Sequence, residues 1–209
     1  MDSRERIRTI ISGQAADRCG FWLGNPHADS WPLYHAYFGL DDEEAIRQRL
    51  GDDLRWIPAG GYRHAEGRKL FEIPGKVAHG TAGPLAHCRE VAELDDYDWP
   101  SVEDVDLSET LQALRNAGPY YRASGFWAPF YHHIMDLFGM ETYMMNMYLN
   151  PPLVEAVTER VCSFFYEANE RLFALAGDEI DGYFFGNDFG TQQSLICGPD
   201  QFEQFILPW

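Results

Sequence analysis

Ile180-Asp181-Gly182-Tyr183-Phe184-Phe185-Gly186-Asn187-Asp188-Phe189-Gly190-Thr191-Gln192-Gln193 divides into two parts of different chemistry. Ile180–Phe185 is rich in aromatic and β-branched residues, which suits a short buried strand. The remainder is a polar turn, with Gly186 and Gly190 giving the backbone latitude. A strand that runs into a glycine-punctuated polar loop is how barrels and doubly wound sheets present reactive groups at their carboxyl edge.

Working outward, the same motif recurs. Cys19–Leu23 reads as a first strand, followed by the polar turn 24–29, Gly-Asn-Pro-His-Ala-Asp. Leu54–Ile57, stopped by Pro58, reads as a second strand, and Tyr120–Phe126 as a third. Helical patterns lie between them. Ser3 is placed to cap a first helix with Ile7, Ile10 and Ile11 on one face. Trp31 to Phe38 ends at Gly39, and Asp41 with Glu44 signals a helix through Leu50. Residues 59–84 carry many glycines and suggest loop, with a hairpin around Lys69–Ile73 and Val77–His79. Glu90–Trp99 suggests a short half-helix, and Ser108 the cap of a helix through Ala117. Trp127–Phe138 and the methionine-rich Glu141–Leu149 follow, with Met144, Met145 and Met147 filling gaps in the core. Asn150-Pro151-Pro152 opens a long helix. Its Val154, Val157, Val161, Phe164, Ala168, Leu172 and Leu175 mark one buried face. Pro199 begins a last helix. Strands alternating with helices predict an α/β fold, a parallel sheet covered by helices.

The 209 residues suit a single domain, and 45% hydrophobic content can fill its core. With 33 acidic against 16 basic residues the formal net charge is -17, which repels phosphate backbones and anionic membranes. No nucleic-acid or membrane partner is therefore expected. The four cysteines are far apart and form no C-x-x-C pair. Together with a charged N-terminus, they predict a reducing, cytoplasmic setting.

Four stretches carry a family resemblance: R-E-R-I-R-T-I-I-S-G-Q-A-A-D-R at 4–18, L-G-D-D-L-R-W-I at 50–57, the helix pair around Met140–Pro152, and G-N-D-F-G-T-Q-Q followed by P-D-Q-F-E-Q-F-I-L-P-W. In that order the chain resembles the uroporphyrinogen decarboxylase superfamily, and more closely its cobalamin-dependent methyltransferase-like branch. The resemblance implies the N-terminal portion of a (β/α)8 TIM barrel, about four βα units, with the C-terminal half absent. A complete barrel typically needs ~250 residues. Open sheet edges would then invite self-association or a complementing C-terminal half. It further implies a small-molecule or corrinoid-bound substrate, with corrinoid and zinc serving the complete enzyme. The zinc ligands, a His-x-Cys and a later Cys, have no counterpart here, because His87-Cys88 is adjacent rather than spaced. The superfamily's decarboxylases act on porphyrin precursors without cofactor, using an arginine pair after the first strand. Residues 24–29 hold no arginine. A non-catalytic half barrel that only binds or assembles is the third reading.

Candidate site residues sit where strands end. Asp188 and His27 are the catalytic candidates, one to orient a group and one for acid–base work near neutral pH. Asn25, Arg55, Trp127, Tyr131, Asn187 and Gln192 are the substrate-binding candidates. Arg55 on the second strand would need a carboxylate partner such as Asp188, and Trp127 with Tyr131 would wall a flat ligand. His132 and His133 are expected to pack on their helix, and no metal ligands are assigned.

Overall fold

The computed structural model of the chain describes residues 1–73 and 81–209. Its centre is a three-stranded parallel sheet in the order β1 (Leu54–Pro58), β2 (Tyr121–Gly125), β3 (Gly182–Tyr183). Trp56 pairs with Ala123, which pairs with Gly182, and Ile57 lies in register with Ser124 and Tyr183. Side chains alternate along each strand, so these two rows point to opposite faces. The Ile57 row meets the long helix α7 (Pro151–Ala176). There Tyr183 stands edge-on to Phe173, and the Asn169 amide reaches the Tyr183 hydroxyl at 3.3 Å.

The remaining helices are α1 (Ser3–Ile11), α2 (Trp31–Phe38), α3 (Glu43–Leu50), α4 (Ser108–Asn116), α5 (Phe130–Phe138), α6 (Met140–Leu149) and α8 (Pro199–Phe205). One continuous core joins α5, α6 and α7 through Ile134, Leu137, Phe138, Tyr143, Leu153, Val157, Val161 and Leu172. The mixed α/β architecture with a parallel sheet and flanking helices agrees with the sequence.

Several details differ, each for a physical reason. Cys19–Leu23 joins no ladder. Its Phe21 and Leu23 N–H groups donate to the Asp53 and Asp52 carboxylates, and the Phe21 carbonyl accepts from the Asp53 N–H, the one backbone–backbone bond of this stretch among the described residues. Ile180–Phe185 contributes only two ladder residues, because β2 ends at Gly125, whose φ of 131° leaves the extended line. Helix caps shift by one or two residues: Asp2 rather than Ser3, Asp42 rather than Asp41, and at α4 the carboxylate of Asp106, which accepts from the Ser108 N–H. Carboxylates suit helix N-termini because the helix dipole is positive there. On α1 the buried residue is Arg6, while Ile10 and Ile11 are exposed. Met145 and Leu175 are exposed as well, at 47% and 58%. Their helices cover only the core behind them, so the outer stripe stays bare. Glu90–Trp99 forms a 3-10 turn over Val91–Asp96. Lys69–Ile73 forms a turn and no strand. The other arm of that hairpin, with His79, lies outside the described residues.

Candidate functional site

The two ends of the sheet have opposite chemistry. At the amino end, Asp52 and Asp53 precede β1 and Asp181 precedes β3, and all three carboxylates are fully buried. Arg4 and Arg8, one helical turn apart on α1, both bind Asp181, with Arg4 Nε at 2.9 Å and Arg8 Nε at 2.7 Å. Arg6 points the other way, to Asp53 at 2.7 Å and Asp17 at 2.7 Å. Arg18 grips both oxygens of Asp53, and Ser3 donates to it at 2.7 Å. Arg47 holds Asp52 at 2.8 Å. Hydrogen bonds to these cations keep Asp53 ionised against the opposing push of burial, so its carboxyl lies below its ordinary range. Asp17, held by Arg6, falls to about 2.

Arg55 belongs to this closed region. It forms a fork on Glu44, with Nε at 2.7 Å and Nη2 at 2.8 Å, and its guanidinium lies 3.8 Å over the Tyr120 ring. The expected pairing with Asp188 is therefore absent. Strand parity explains it: Arg55 projects to the face opposite Trp56.

At the carboxyl end and on the face turned from α7, aromatic rings gather instead. Trp56 of β1 and Trp127, just past β2, have centroids 5.5 Å apart. Phe184, just past β3, lies 5.5 Å from Trp56 and 5.3 Å from Trp127. Trp22 stands edge-on to Phe184 at 5.2 Å. Gly186 lets Trp127 lie against the backbone; a Cβ there would come within 2.8 Å of the indole. Trp127 remains 40% exposed. The indole nitrogens of Trp22 and Trp56 are buried without a hydrogen-bond partner among the described residues.

The polar loop after β3 is divided in its work. Asn187 accepts from the Tyr131 N–H at 3.1 Å and donates to the Ala128 carbonyl at 3.0 Å. It thus clamps the entry to α5. Asp188 is exposed and makes no hydrogen bond or ion pair among the described residues. Gln192 is exposed at the tip of a turn closed by Thr191, whose hydroxyl accepts from Gln193 and Ser194. Tyr131 is fully buried and packs on Tyr143 and Phe189. Burial, and then the neighbouring Cys197 thiol, push its phenol well above the ordinary value.

Asn25 and His27 lie in the exposed turn before α2. His27 Nδ1 faces Asp29 at 3.5 Å and accepts from its N–H. No hydrogen bond or ion pair links this turn to the Asn187–Gln192 loop among the described residues. Trp127 and Asn187 are thus brought to one place, with Tyr131 beneath them, whereas Asn25, His27 and Arg55 stand apart.

His133 packs at a tilt on Phe71 at 4.7 Å and stacks on Phe165 at 5.6 Å. Cys88 is buried, and burial raises its thiol pKa, which disfavours the thiolate that a metal needs. Among the described residues no group of three or more His, Cys, Asp or Glu could hold a metal ion. No described helix is long and apolar enough to cross a membrane.

Sequence reasoning passed over Trp22 and Phe184, and left Trp56 without a role. The signal was available: each strand-like segment carries an aromatic residue at or beside the parity that faces away from α7. Comparison with family models, with curated proteins and with solved structures finds no match for this chain.

Proposed function

We propose that the chain is the N-terminal portion of a (β/α)8 barrel of the uroporphyrinogen decarboxylase superfamily, nearest the cobalamin-dependent methyltransferase-like branch. On this reading it holds a small-molecule or corrinoid-bound substrate over the carboxyl ends of its strands. The observation that carries the proposal is the aromatic cluster of Trp22, Trp56, Trp127 and Phe184 on the sheet face turned from α7. In a barrel that face is the interior, and the strand ends open to the ligand. Consecutive parallel strands in the order β1-β2-β3 are the arrangement such a barrel requires. Trp127, whose indole is exposed, is the residue that would hold a corrinoid, which would supply the carriage of the methyl group. Asp188 stands at the rim, free to orient a substrate. Four free thiols support a cytoplasmic setting.

Tetrapyrrole decarboxylation is the weaker enzymatic reading. The arginines near the turn 24–29 are already bound to aspartates, Arg18 to Asp53 and Arg47 to Asp52, so they offer no fork for substrate carboxylates. The test is an absorbance titration of the chain with hydroxocobalamin, run beside a uroporphyrinogen decarboxylation assay. Saturable corrinoid binding without decarboxylation supports the proposal; proton-for-carboxylate exchange on uroporphyrinogen overturns it. In a complete enzyme, Asp188→Asn should depress methyl transfer without unfolding the protein, and unchanged turnover removes Asp188 from the site.

A specific observation also favours assembly. An apolar groove of about 620 Å³ runs along α7 and β3, lined by Phe165, Phe173, Tyr183, Phe185 and Trp209. It borders the sheet edge that β3 leaves open, and open edges pair with other chains. Sedimentation should show self-association; a monodisperse monomer that melts cooperatively contradicts it.

A further inference from the structure

Two exposed apolar surfaces of this chain differ in shape and match in chemistry. The first is convex. Helix α2, Trp31–Phe38, has no buried residue. Its inner side rests on α3, where the Arg47 guanidinium lies 5.5 Å from the Trp31 ring centre. Its outer side presents Leu33 and Tyr37, one helical turn apart and 72% and 83% exposed. The second is concave, the groove of about 620 Å³ along α7 and β3. Phe165 and Phe173 of α7 line it, and Tyr183 and Phe185 stack beside them with ring centres 5.1 Å apart. Both surfaces are nearly free of charge. Ser30 to Leu40 contains no Asp, Glu, Lys or Arg, and Glu170 is the one such residue on the groove lining among the described residues.

Resting on the reading of this groove as an assembly surface, we infer that its occupant is α2 of a second copy of this chain. Helices enter apolar grooves by side chains at positions i and i+4, the spacing of Leu33 and Tyr37. Pockets of about 300–1,000 Å³ hold a drug-sized body, and a leucine and a tyrosine side chain together are of that order. Charge selects the pairing. Copies that each carry a net charge of -17 repel one another wherever acid faces acid. Helix α2 brings no carboxylate to the groove, so docking there sets no acid against Glu170. Shape selects it too. Two α2 helices laid against each other leave both grooves open, and two grooves do not fill one another. The contact is therefore heterologous, one helix and one groove per copy, and it extends to a ring or an open chain. One short helix buries less than the roughly 1,200 Å² of a stable interface. A dissociation constant of about 10–100 µM is accordingly expected.

The test is sedimentation of the 209-residue chain at concentrations up to about 300 µM, above the expected dissociation constant. The native chain should grow beyond a dimer as concentration rises. Leu33→Glu with Tyr37→Glu removes the helix anchors, and Phe185→Glu spoils the groove. Circular dichroism checks each fold; Tyr166→Glu, at an exposed position of the same groove, replaces Phe185→Glu if the latter disturbs it. Each variant alone should self-associate about tenfold more weakly or not at all. Mixed in equal amounts, the two should form a dimer and stop there, because one intact helix and one intact groove remain between them. A mixture that stays monomeric overturns the proposal. Native-like association of the helix variant also overturns it and leaves groove self-association standing without α2. Native-like association of the groove variant overturns it by showing that the helices pair with each other. A native chain that stays monomeric throughout overturns both the proposal and the assembly reading on which it rests.

Discussion

The amino and carboxyl ends of this sheet are built from the same three strands and do opposite things. At the amino end every buried carboxylate has a cation: Asp181 has Arg4 and Arg8, Asp53 has Arg6 and Arg18, Asp52 has Arg47. At the carboxyl end the indole N–H groups of Trp22 and Trp56 have no acceptor among the described residues, and the Trp127 indole faces solvent. Buried charges must be paired to persist, so the first end is complete in itself. The second end is aromatic, and on the proposed reading it is the end that takes a ligand.

The largest effect expected from breaking this contrast is at Asp53. Asp53→Ala leaves Arg6 without one of its two carboxylates and removes the acceptor of the Phe21 N–H. Removing one partner of a buried ion pair costs about 3–5 kcal/mol, which urea unfolding will measure; a loss below about 1 kcal/mol would show that these ion pairs are incidental to stability.

Asn169 should come next. Its Oδ1 accepts from the Phe126 N–H at 2.8 Å and its Nδ2 donates to the Phe165 carbonyl at 2.9 Å. It fastens α7 to the end of β2. Asn169→Ala strands a buried backbone donor and should cost about 1–3 kcal/mol by the same measurement.

Acid should loosen the amino end before the aromatic end. Asp17, Asp53 and Glu44 all have pKa values depressed in the folded chain. A depressed carboxyl contributes stability above its unfolded value and loses it as pH falls through the folded value. Stability should therefore be constant above about pH 5 and fall progressively towards pH 2, where Asp17 itself protonates at about 2. Thermal melts across that range check the sign. A rise in melting temperature on acidification would contradict it.

The smallest effect is expected at the rim. Asp188 is exposed and unbonded among the described residues, so Asp188→Asn should change stability by no more than about 0.5 kcal/mol. A larger loss would make Asp188 part of the scaffold rather than of the site.

Much of the scaffold was legible in the sequence because it rests on local rules. The proline pair after Asn150, the apolar stripe of α7 and the left-handed Gly39 and Gly51 at helix ends all follow from short-range chemistry. The site was less legible because it depends on pairing between distant segments. Arg55 looked like a site residue until its parity and Glu44 partner were known. Asn187 looked like a ligand-binding amide and proved to be a clamp on α5. Trp22 and Phe184, 162 positions apart in the chain by residue number, meet only through the fold. The arginines at 4, 6 and 8 carried a signal in their spacing, since a helix sends the outer two to one side and the middle one to the other.

The most direct test reads both ends of the sheet at once. In a ¹⁵N-resolved NMR titration, tryptophan indole N–H and arginine Nε–H signals are observed together as hydroxocobalamin is added. The account predicts that the Trp22, Trp56 and Trp127 indole signals shift with saturation while those of Arg4, Arg6 and Arg8 stay fixed. Arginine shifts with unmoved indoles, or no shift at either end, would contradict it.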